Sequence, residues 1–366
     1  MTIKKKSNSK TLSPWLGLDI GGANLKLAHS NTELGWSKSL PFPMWKESAS
    51  LASRLAGSID DSPEFHGIAV TMTGELADCF ATRAEGVACI LDQVTRVFPA
   101  PLVYVYGVDG RFRSPSQAAR DPWVAAASNW HALANWSRRL LPKGKPSTRD
   151  AFGVLVDIGS TTIDVLGLST QEVLTNSKTD SDRLKRRELV YTGVERSNLS
   201  GLLRSVPLHG KTCPLMNEQF ATTRDAYLWL GYLDECDTDT DTADGKPATR
   251  HCARYRLARV VGEDGSTLAD CDIDAIGQSV MSKQVKLLRR SLEKVLGRIG
   301  DATSITSMIC SGHGSFLLRQ ALEDGLLANR FGLTEQIWLE DKLGDGLSRS
   351  APAYAVAQLA AECLQV

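Results

Sequence analysis

The chain has 366 residues, 42% of them hydrophobic, enough to build two cores of about 150 residues each. Basic and acidic side chains number 42 each, so the net charge favours neither nucleic acid nor an anionic membrane as a partner. No apolar run approaches the ~20 residues that a membrane-spanning helix needs. The first 13 residues lack an apolar segment behind their lysines, which predicts a disordered tail on a cytoplasmic protein. Eight irregularly spaced cysteines without a C-x-x-C pair indicate free thiols.

The N-terminal part of the chain predicts a strand meander followed by alternating helices and strands. Its elements are strands at 15–19, 24–30 and 34–40, a helix at 47–59, a strand at 66–72, a helix at 86–98 and a strand at 101–107. A helix-rich segment over 116–141 then leads to a polar linker at 142–147, which is rich in proline and glycine.

The C-terminal part of the chain begins the same pattern again. Its elements are strands at 152–157, 162–168 and 172–176, helices at 224–232, 253–260 and 278–299, a strand at 305–310, a helix at 315–323, a strand at 337–340 and a helix at 352–364. The charged stretch at 180–188 is predicted to be a solvated excursion. We expect the final helix, which is rich in small residues, to pack back on the first lobe.

Two copies of one strand–loop–strand pattern organise the chain. Asp19-Ile20-Gly21, in LGLDIGGANLKLA, aligns with Asp157-Ile158-Gly159, in GVLVDIGSTTIDVLGL, 138 positions later (157 minus 19). A turn of glycine and small residues lets a ligand approach the backbone, and its N–H groups can bind an anion. The duplication predicts two related lobes, each presenting a phosphate loop and a carboxylate to a cleft between them.

A meander, helix, strand, helix and strand, given twice, is the order of the ribonuclease H-like unit. The chain therefore resembles the actin/Hsp70/sugar-kinase superfamily along most of its length, which implies an α/β protein of two ribonuclease H-like lobes with a central cleft. We expect lobe I at 14–147 plus 348–366 and lobe II at 148–347, with an inserted segment at about 177–277. In that superfamily two loops bind phosphate and a late Gly-rich turn, here residues 311–314, holds adenosine.

Two carboxylates at a phosphate site favour Mg²⁺, which takes oxygen ligands and keeps several waters. Asp19 and Asp157 are the predicted metal ligands, and the alternative is that each carboxylate only caps its own Gly turn. Lys26 is predicted to place a positive charge on a phosphoryl group, with a solvated strand lysine as the alternative. The other predicted phosphate-binding residues lie in the three Gly-containing loops: Gly21, Gly22, Gly159, Ser160, Thr161, Thr162, Gly312 and Gly314.

Glu75 and Asp78 follow the predicted strand at 66–72, where a kinase-like chain would hold a residue that orients or deprotonates a nucleophile. The alternative is a helix N-terminus, where Thr73 would cap the helix and acidic residues would favour its dipole. The sequence leaves these two interpretations equal.

Further blocks between residue 16 and about residue 314 give a closer resemblance. PFPMWKE, AVTMTGELADCF, AASNWHALA, LVYTGVERS, NEQFATTRDAYLWLG, YRLARVVGED and SGHGSF resemble the hydantoinase/oxoprolinase-like proteins of tetrahydromethanopterin-linked one-carbon metabolism. The characterised archaeal branch joins (5-aminomethyl-furan-3-yl)methyl diphosphate to γ-glutamyltyramine in methanofuran biosynthesis, forming an aryl ether and releasing pyrophosphate. The resemblance implies the same or a neighbouring condensation here, with small-molecule diphosphate and phenolic amine substrates and Mg²⁺ as cofactor.

That reaction would give individual residues specific roles. A phenol has a pKa near 10, so a positioned carboxylate, Glu75 or Asp78, would help to remove its proton. The predicted substrate contacts are aromatic rings that would stack on the furan and cations that would bind the glutamyl carboxylates: Trp45, Trp130 and Tyr191, with Lys46 and Arg224. Each aromatic ring could instead belong to a core.

Two other classes of function use the same loops. An ATP-dependent hydantoinase/oxoprolinase-like hydrolase or small-molecule kinase would bind nucleotide, with residues 311–314 under the adenine. A nucleotide-gated scaffold would bind ATP without a small substrate. His313 occupies a position where the superfamily usually has a small residue, which favours a site for diphosphate alone. The sequence leaves a homo-oligomer open.

Overall fold

The computed structural model describes residues 13–142, 151–299 and 305–364. The chain divides into two compact units: a first unit of Met1–Arg139 with Glu340–Val366, and a second unit of Leu140–Leu339. Apart from residues 13 and 142, the predicted tail at 1–13 and the predicted linker at 142–147 lie outside the described residues.

The N-terminal part of the first unit contains six strands and six helices. They are β1 (Trp15–Ile20), β2 (Asn24–His29), β3 (Ser37–Pro41), α1 (Met44–Glu47), α2 (Leu51–Ser58), β4 (Gly67–Met72), α3 (Arg83–Val97), β5 (Val103–Tyr106), β6 (Phe112–Arg113), α4 (Pro115–Arg120), α5 (Pro122–Ala125) and α6 (Asn129–Ser137). The helix predicted at 47–59 is therefore interrupted, because a 3-10 turn at Ser48–Ser50 separates α1 from α2.

The second unit follows, and the chain then returns to the first unit. The elements are β7 (Phe152–Ile158), β8 (Ile163–Ser169), α7 (Asp180–Arg186), β9 (Leu189–Val190), α8 (Leu199–Leu202), β10 (Ser205–Leu208), β11 (Lys211–Pro214), α9 (Thr223–Leu230), α10 (Arg250–Arg259), α11 (Asp270–Ile299), β12 (Ile305–Ser311), α12 (Ser315–Leu322), α13 (Leu326–Phe331), β13 (Glu335–Trp338), α14 (Leu339–Arg349) and α15 (Ala351–Cys363).

The main sheets of the two units share a five-stranded topology, to which the first unit adds β6 at one edge, antiparallel to β5. The order is β3-β2-β1-β4-β5-β6 in the first unit and β13-β12-β7-β8-β9 in the second. In each sheet the first three strands of the unit pair antiparallel: β1–β3 in the first unit and β7–β9 in the second. Two later strands then run parallel to β1 or to β7: β4 and β5 in the first unit, and β12 and β13 in the second. This is the meander-then-parallel order of the ribonuclease H-like unit, so the predicted α/β fold is confirmed.

Helix α15 packs closely on the first sheet because Gly17, the β1 residue beneath it, has no side chain. A Cβ on Gly17 of β1 would lie 1.9 Å from the carbonyl oxygen of Ala353, so any side chain there would push the helix away. Nearly all of α15 is buried alanine and other apolar residues. Burial on both faces also explains why β1 and β4 are nearly uninterrupted apolar runs.

The stretch after β8 departs from its prediction. No strand forms over 172–176, where only Val173 bridges Leu168, and the third strand of the meander is β9. Residues 180–188 are not a solvated excursion: they form α7 and the short connection to β9, and Arg183 is 3% exposed. Arg183 is drawn inward because its guanidinium pairs with Asp164, a charge that residue spacing alone does not reveal.

The His131 side chain in α6 makes the stability of the first unit depend on pH. Its Nδ1 lies 2.9 Å from the Tyr106 hydroxyl, which itself accepts a hydrogen bond from Asn135. Burial, with a smaller contribution from the charge of Arg138, lowers the pKa of His131 to about 4, against the opposing charge of Asp109. The imidazole is therefore neutral in the folded protein at neutral pH.

Because the folded pKa is below the unfolded value, the unfolded chain binds this proton first as the pH falls. The free energy of unfolding is therefore unaffected by this group above pH ~6.5. It falls progressively as the pH drops towards ~4, by up to about 3 kcal/mol. We expect His131→Gln, which cannot titrate, to show a flatter dependence of Tm on pH between 7 and 4.5. Parallel Tm curves for the two proteins would show that His131 does not contribute.

Candidate functional site

The loop between β7 and β8 is a tight hairpin that follows a carboxylate. Asp157 is the next-to-last residue of β7, and the N–H of Gly159 donates to the carbonyl of Thr162 at 2.9 Å to close the turn. Ser160 and Thr161 lie within this turn, so it contains the predicted phosphate-binding residues of the second unit. The structure thus places Asp157 directly beside its predicted loop.

Two glycine-containing segments pack against this loop. A Cβ on Gly193 would lie 2.4 Å from the backbone nitrogen of Thr161. Gly312 has a φ of +83°, and a Cβ there would lie 2.2 Å from the carbonyl oxygen of Ile158. Gly314 donates its N–H to the same carbonyl at 3.1 Å. The late Gly-rich turn and the loop of the second copy therefore form one surface, and only glycine fits where they touch.

Asp157 has polar neighbours on both adjacent strands. The sheet register places Asp164 of β8 and Ser311 of β12 directly beside it. The Ser311 hydroxyl is buried and has no hydrogen-bond partner among the described residues. A buried hydroxyl without a partner is costly unless a ligand or water completes it, which marks Ser311 as a site residue. The sequence predictions included the 311–314 turn and named Gly312 and Gly314 as phosphate-binding, but they assigned Ser311 no role of its own.

A buried positive charge lies behind this loop. Arg183 pairs with Asp164 and donates to Asp180 at 2.9 Å. Burial lowers the pKa of Arg183 to about 9, while the charges of Glu188 and Asp157 oppose that decrease. Arg183 therefore stays charged at neutral pH and contributes positive potential near Asp157. Neither periodicity nor a motif in the sequence points to this residue.

Residues 192–197, the TGVERS segment, are held in place by buried side chains. Gln284 of α11 is fully buried and donates to the Thr192 hydroxyl at 2.7 Å and to the Gly193 carbonyl at 2.9 Å. Thr223 of α9 also donates to the Gly193 carbonyl, at 2.8 Å. The N–H groups of Glu195 and Arg196 then donate to the Ser160 carbonyl, each at 3.0 Å. This network fixes the segment against the loop.

A cavity of about 290 Å³ lies next to this segment, within the second unit. Its lining consists of one phosphate-loop residue, residues that precede α8 and two residues of α8 itself: Thr161, Tyr191, Thr192, Arg196, Ser197, Asn198, Gly201 and Leu202. Tyr191 is 69% exposed, so its ring is open to a ligand. Among the predicted substrate-binding residues, Tyr191 therefore lies beside the phosphate loop.

The first copy of the loop has a related but simpler geometry. The N–H of Gly21 donates to the Asn24 carbonyl at 2.9 Å, and the Gly22 carbonyl accepts from Met44 at 3.0 Å. Lys26 is directly opposite Asp19 in the antiparallel pair of β1 and β2, so both side chains emerge on the same face. Lys26 occupies the position that Asp164 has in the second unit (164 minus 138). A Cβ on Gly22 would meet open space, so sterics do not require glycine there.

The two predicted bases differ in their environments. Glu75 is 1% exposed, with Arg83 at 4.0 Å from its carboxylate, whereas Asp78 is exposed. The segment is a 3-10 turn, Gly74–Leu76, and the Thr73 side chain makes no capping hydrogen bond. Of the alternative interpretation, the capping role of Thr73 is therefore wrong, whereas Glu75 does lie in the first turn of a short 3-10 helix.

The remaining predicted substrate contacts are dispersed. Trp45 is partly buried and Lys46 is exposed, both in α1. Trp130 is buried and packs edge-on against His131, as a core residue would. Arg224 donates to Asp239 at 2.5 Å, so its charge is already matched within the second unit.

Three comparisons with known proteins extend this geometry. Residues 66–362 match the family described as hydantoinase/oxoprolinase. The chain belongs to this family. A protein of Methanocaldococcus jannaschii, named (4-{4-[2-(gamma-L-glutamylamino)ethyl]phenoxymethyl}furan-2-yl)methanamine synthase, is 32% identical over 344 residues, covering 94% of this chain and 96% of that protein. A Methanococcus vannielii protein of the same name is 29% identical over 206 residues, covering 56% of this chain and 89% of its own length.

The fold of this hydantoinase/oxoprolinase-family chain also occurs in a solved structure. Acetone carboxylase in its nucleotide-free structure matches 94% of this chain and 70% of its own, with a TM-score of 0.53 and 10% identity. At that identity the match shows a shared fold and nothing about ligands. Among the described residues of this chain, no helix is long and apolar enough to cross a membrane.

The oxygen donors at this loop are compatible with a magnesium ion that takes most of its ligands from phosphate oxygens and water. Within residues 13–142, 151–299 and 305–364, no three His, Cys, Asp or Glu side chains cluster as a complete metal site. Mg²⁺ typically uses one or two carboxylates and completes its shell with phosphate oxygens and water. Asp157, with the buried Ser311 hydroxyl beside it, supplies oxygen donors of that kind, and Asp19 is its counterpart in the first unit.

Proposed function

We propose that this protein is a transferase that condenses a furan-methyl diphosphate with the phenol of γ-glutamyltyramine, or a close analogue, in the biosynthesis of a methanofuran-type cofactor. The observation that supports it most strongly is the similarity to the M. jannaschii synthase along almost the whole length of both chains. The name of that protein describes a phenoxymethyl link between a furan and a glutamylated phenethylamine. The condensation forms this ether bond and releases pyrophosphate.

The residues of the loops suit the departure of a diphosphate. As the bond between the methylene carbon and the diphosphate oxygen breaks, negative charge grows on the leaving group, and preorganised positive charge and N–H groups stabilise it. In the proposal the turn from Gly159 to Thr162 binds these oxygens, and the Ser311 hydroxyl donates to one of them. Mg²⁺, held by Asp157 when bound, would supply further positive charge to the diphosphate. The metal-binding role of Asp19 and the phosphate-binding role of Lys26 stay predictions.

The phenol oxygen that forms the new ether bond must lose its proton. Its pKa near 10 leaves it mostly protonated at neutral pH, so a carboxylate acceptor would raise the reactive fraction. We place this role on Asp78 rather than Glu75, because Asp78 is exposed and Glu75 is buried beside Arg83. The stacking role of Trp45 and the carboxylate-binding role of Lys46 remain predictions.

The proposal includes small-molecule partners and a cytoplasmic location. All eight cysteines carry free thiols, four of them exposed, which suits a reducing compartment. The second candidate is an ATP-dependent hydrolase of the hydantoinase/oxoprolinase type. The packing of the 311–314 turn against the loop of the second unit supports it, because that turn would lie near the phosphates of a nucleotide.

One reaction mixture distinguishes the two candidates. Purified protein, Mg²⁺, γ-glutamyltyramine and (5-aminomethyl-furan-3-yl)methyl diphosphate are incubated with and without ATP, and pyrophosphate and the ether are quantified by coupled assay and mass spectrometry. We expect one pyrophosphate for each ether formed, with no requirement for ATP. Hydrolysis of ATP without ether formation would exclude the transferase and support the hydrolase.

A further inference from the structure

The ring of Trp123 in α5 is exposed, whereas the charged side chain that it covers is largely buried. Trp123 is 60% exposed, and the other described tryptophans are buried or half-buried. The Arg83 guanidinium of α3 lies 4.9 Å from the centre of the Trp123 ring, and the Arg83 side chain is 13% exposed. The aromatic group therefore faces solvent, and the charged group lies inside.

Another arginine–tryptophan pair of the same chain has the opposite order. Trp229 is 6% exposed, and the exposed Arg250 lies over it, 4.6 Å from the ring centre. Long charged side chains normally cover an apolar group in this way and keep their charge in water. The order at Trp123 costs free energy twice, because a large apolar ring stays in water and a guanidinium leaves it. A ligand that covers the ring would remove the first of these costs.

The pair lies at the end of the first sheet that carries the first phosphate loop. The Glu75 carboxylate, in the 3-10 turn after β4, is 4.0 Å from Arg83 Nε, so the charge of Arg83 is compensated by this ion pair. A Cβ on Gly74 of the same turn would lie 2.9 Å from the Gly21 carbonyl oxygen. The turn that contacts Arg83 therefore also contacts the first phosphate loop, and Trp123 lies beside it.

An aromatic ring is the ligand that an exposed indole fits, since two aromatic rings stack with their faces offset. Arg83 covers one face of Trp123, which leaves the opposite face for a ligand. The positive charge behind the ring favours an electron-rich ring on that face and disfavours a ring that carries a cation. The phenol acceptor is electron-rich. The furan donor carries an ammonium group and gains positive charge as the diphosphate departs.

We propose that the exposed face of Trp123 is the acceptor subsite, on which the phenol ring of γ-glutamyltyramine stacks. The inference rests on the proposed function for the identity of the acceptor. It agrees with Asp78 as the base, because Asp78 is two residues beyond the end of the 3-10 turn that contacts Arg83. Arg83 is a positioning residue here, since it holds the inner face of the ring and leaves the outer face to the acceptor.

Two variants of Trp123 test the subsite by calorimetric titration of γ-glutamyltyramine in the absence of the diphosphate, with a thermal melt to show that each variant is folded. Trp123→Leu keeps an apolar side chain but removes the ring, and we expect Kd to rise about 10-fold or more. Trp123→Phe keeps a ring, and its Kd should stay within about 3-fold of the wild-type value. Leu102→Ala is the matched control, because Leu102 is 40% exposed but precedes β5, at the opposite edge of the first sheet.

Calorimetry measures acceptor binding whether or not the ether forms, so a failed transferase reaction leaves this test intact. If the ether forms, Trp123→Leu should raise KM for γ-glutamyltyramine and leave KM for the diphosphate unchanged. A wild-type Kd in Trp123→Leu, or no binding to the wild type, would overturn the subsite. Loss of binding in Tyr191→Ala but not in Trp123→Leu would also overturn it, and would place the acceptor in the second unit. An altered oligomeric state of Trp123→Leu with unaltered acceptor binding would assign the ring to a subunit interface instead.

Discussion

Asp157→Asn is expected to lower the rate of ether formation by at least about 10³-fold, because removal of one carboxylate takes several kcal/mol of charge stabilisation from a metal-assisted step. Asparagine keeps the shape of the side chain and one oxygen but not the charge. Asp157 is partly exposed at the end of β7, so we expect Tm to change by no more than about 2 °C. Initial rates at saturating substrates and a thermal melt measure the two effects.

Asp164→Asn is the matched control for this prediction. Asp164 lies directly beside Asp157 on β8 but is buried against Arg183. Removing its charge leaves a buried guanidinium less well compensated, so its main effect should be a loss of stability, of about 3 kcal/mol. An Asp157→Asn enzyme with wild-type turnover, or one that is as destabilised as Asp164→Asn, would remove Asp157 from the metal-binding role.

Gln284→Leu is expected to destabilise the second unit by about 2–4 kcal/mol. Leucine fills a similar volume but cannot donate to the Thr192 hydroxyl or the Gly193 carbonyl, and it cannot accept from the Tyr227 hydroxyl. These groups are buried, so water does not replace the lost bonds without cost. Urea unfolding gives the overall loss, and hydrogen exchange of peptides spanning 192–197 shows where it occurs.

Gln278→Leu provides the comparison on the same helix. Gln278 is exposed on α11, and its replacement should change stability by no more than about 0.5 kcal/mol. We also expect Gln284→Leu to raise KM for the diphosphate substrate, because Gln284 holds residues 192–197 against the phosphate loop of the second unit. Slow exchange of 192–197 in the Leu variant, as in the wild type, would show that other contacts suffice to fix the segment.

The duplicated turns were predictable because their signals are local. A buried strand, an Asp, a Gly turn and a second strand occupy about a dozen consecutive residues, and their order repeats after 138 positions (157 minus 19). Local pattern therefore located Asp19 and Asp157 at the ends of β1 and β7. The alternation of helices and strands also identified the fold, which each sheet confirms by its strand order.

The same local reasoning gave a wrong prediction for the charged residues 180–188. Residues 180–188 are rich in Asp, Glu, Lys and Arg, which is typical of a solvated surface. In the folded unit Glu188 is 1% exposed and accepts from the hydroxyls of Thr175 and Ser177 at 2.7 and 2.6 Å. Buried charge is stable only with its partners in place, and sequence spacing does not say which partners those are.

The sequence by itself determined the two ribonuclease H-like units, the two Asp-Gly loops and the family, because each depends on residues close together in the chain. Only the tertiary structure decided which side chains surround the second loop. Gln284 reaches Thr192 across 92 positions, and Ser311 lies beside Asp157 through the pairing of β12 with β7. Contacts of this kind depend on how distant elements pack. The unpartnered Ser311 hydroxyl and the cavity at Arg196 therefore became visible only in the fold.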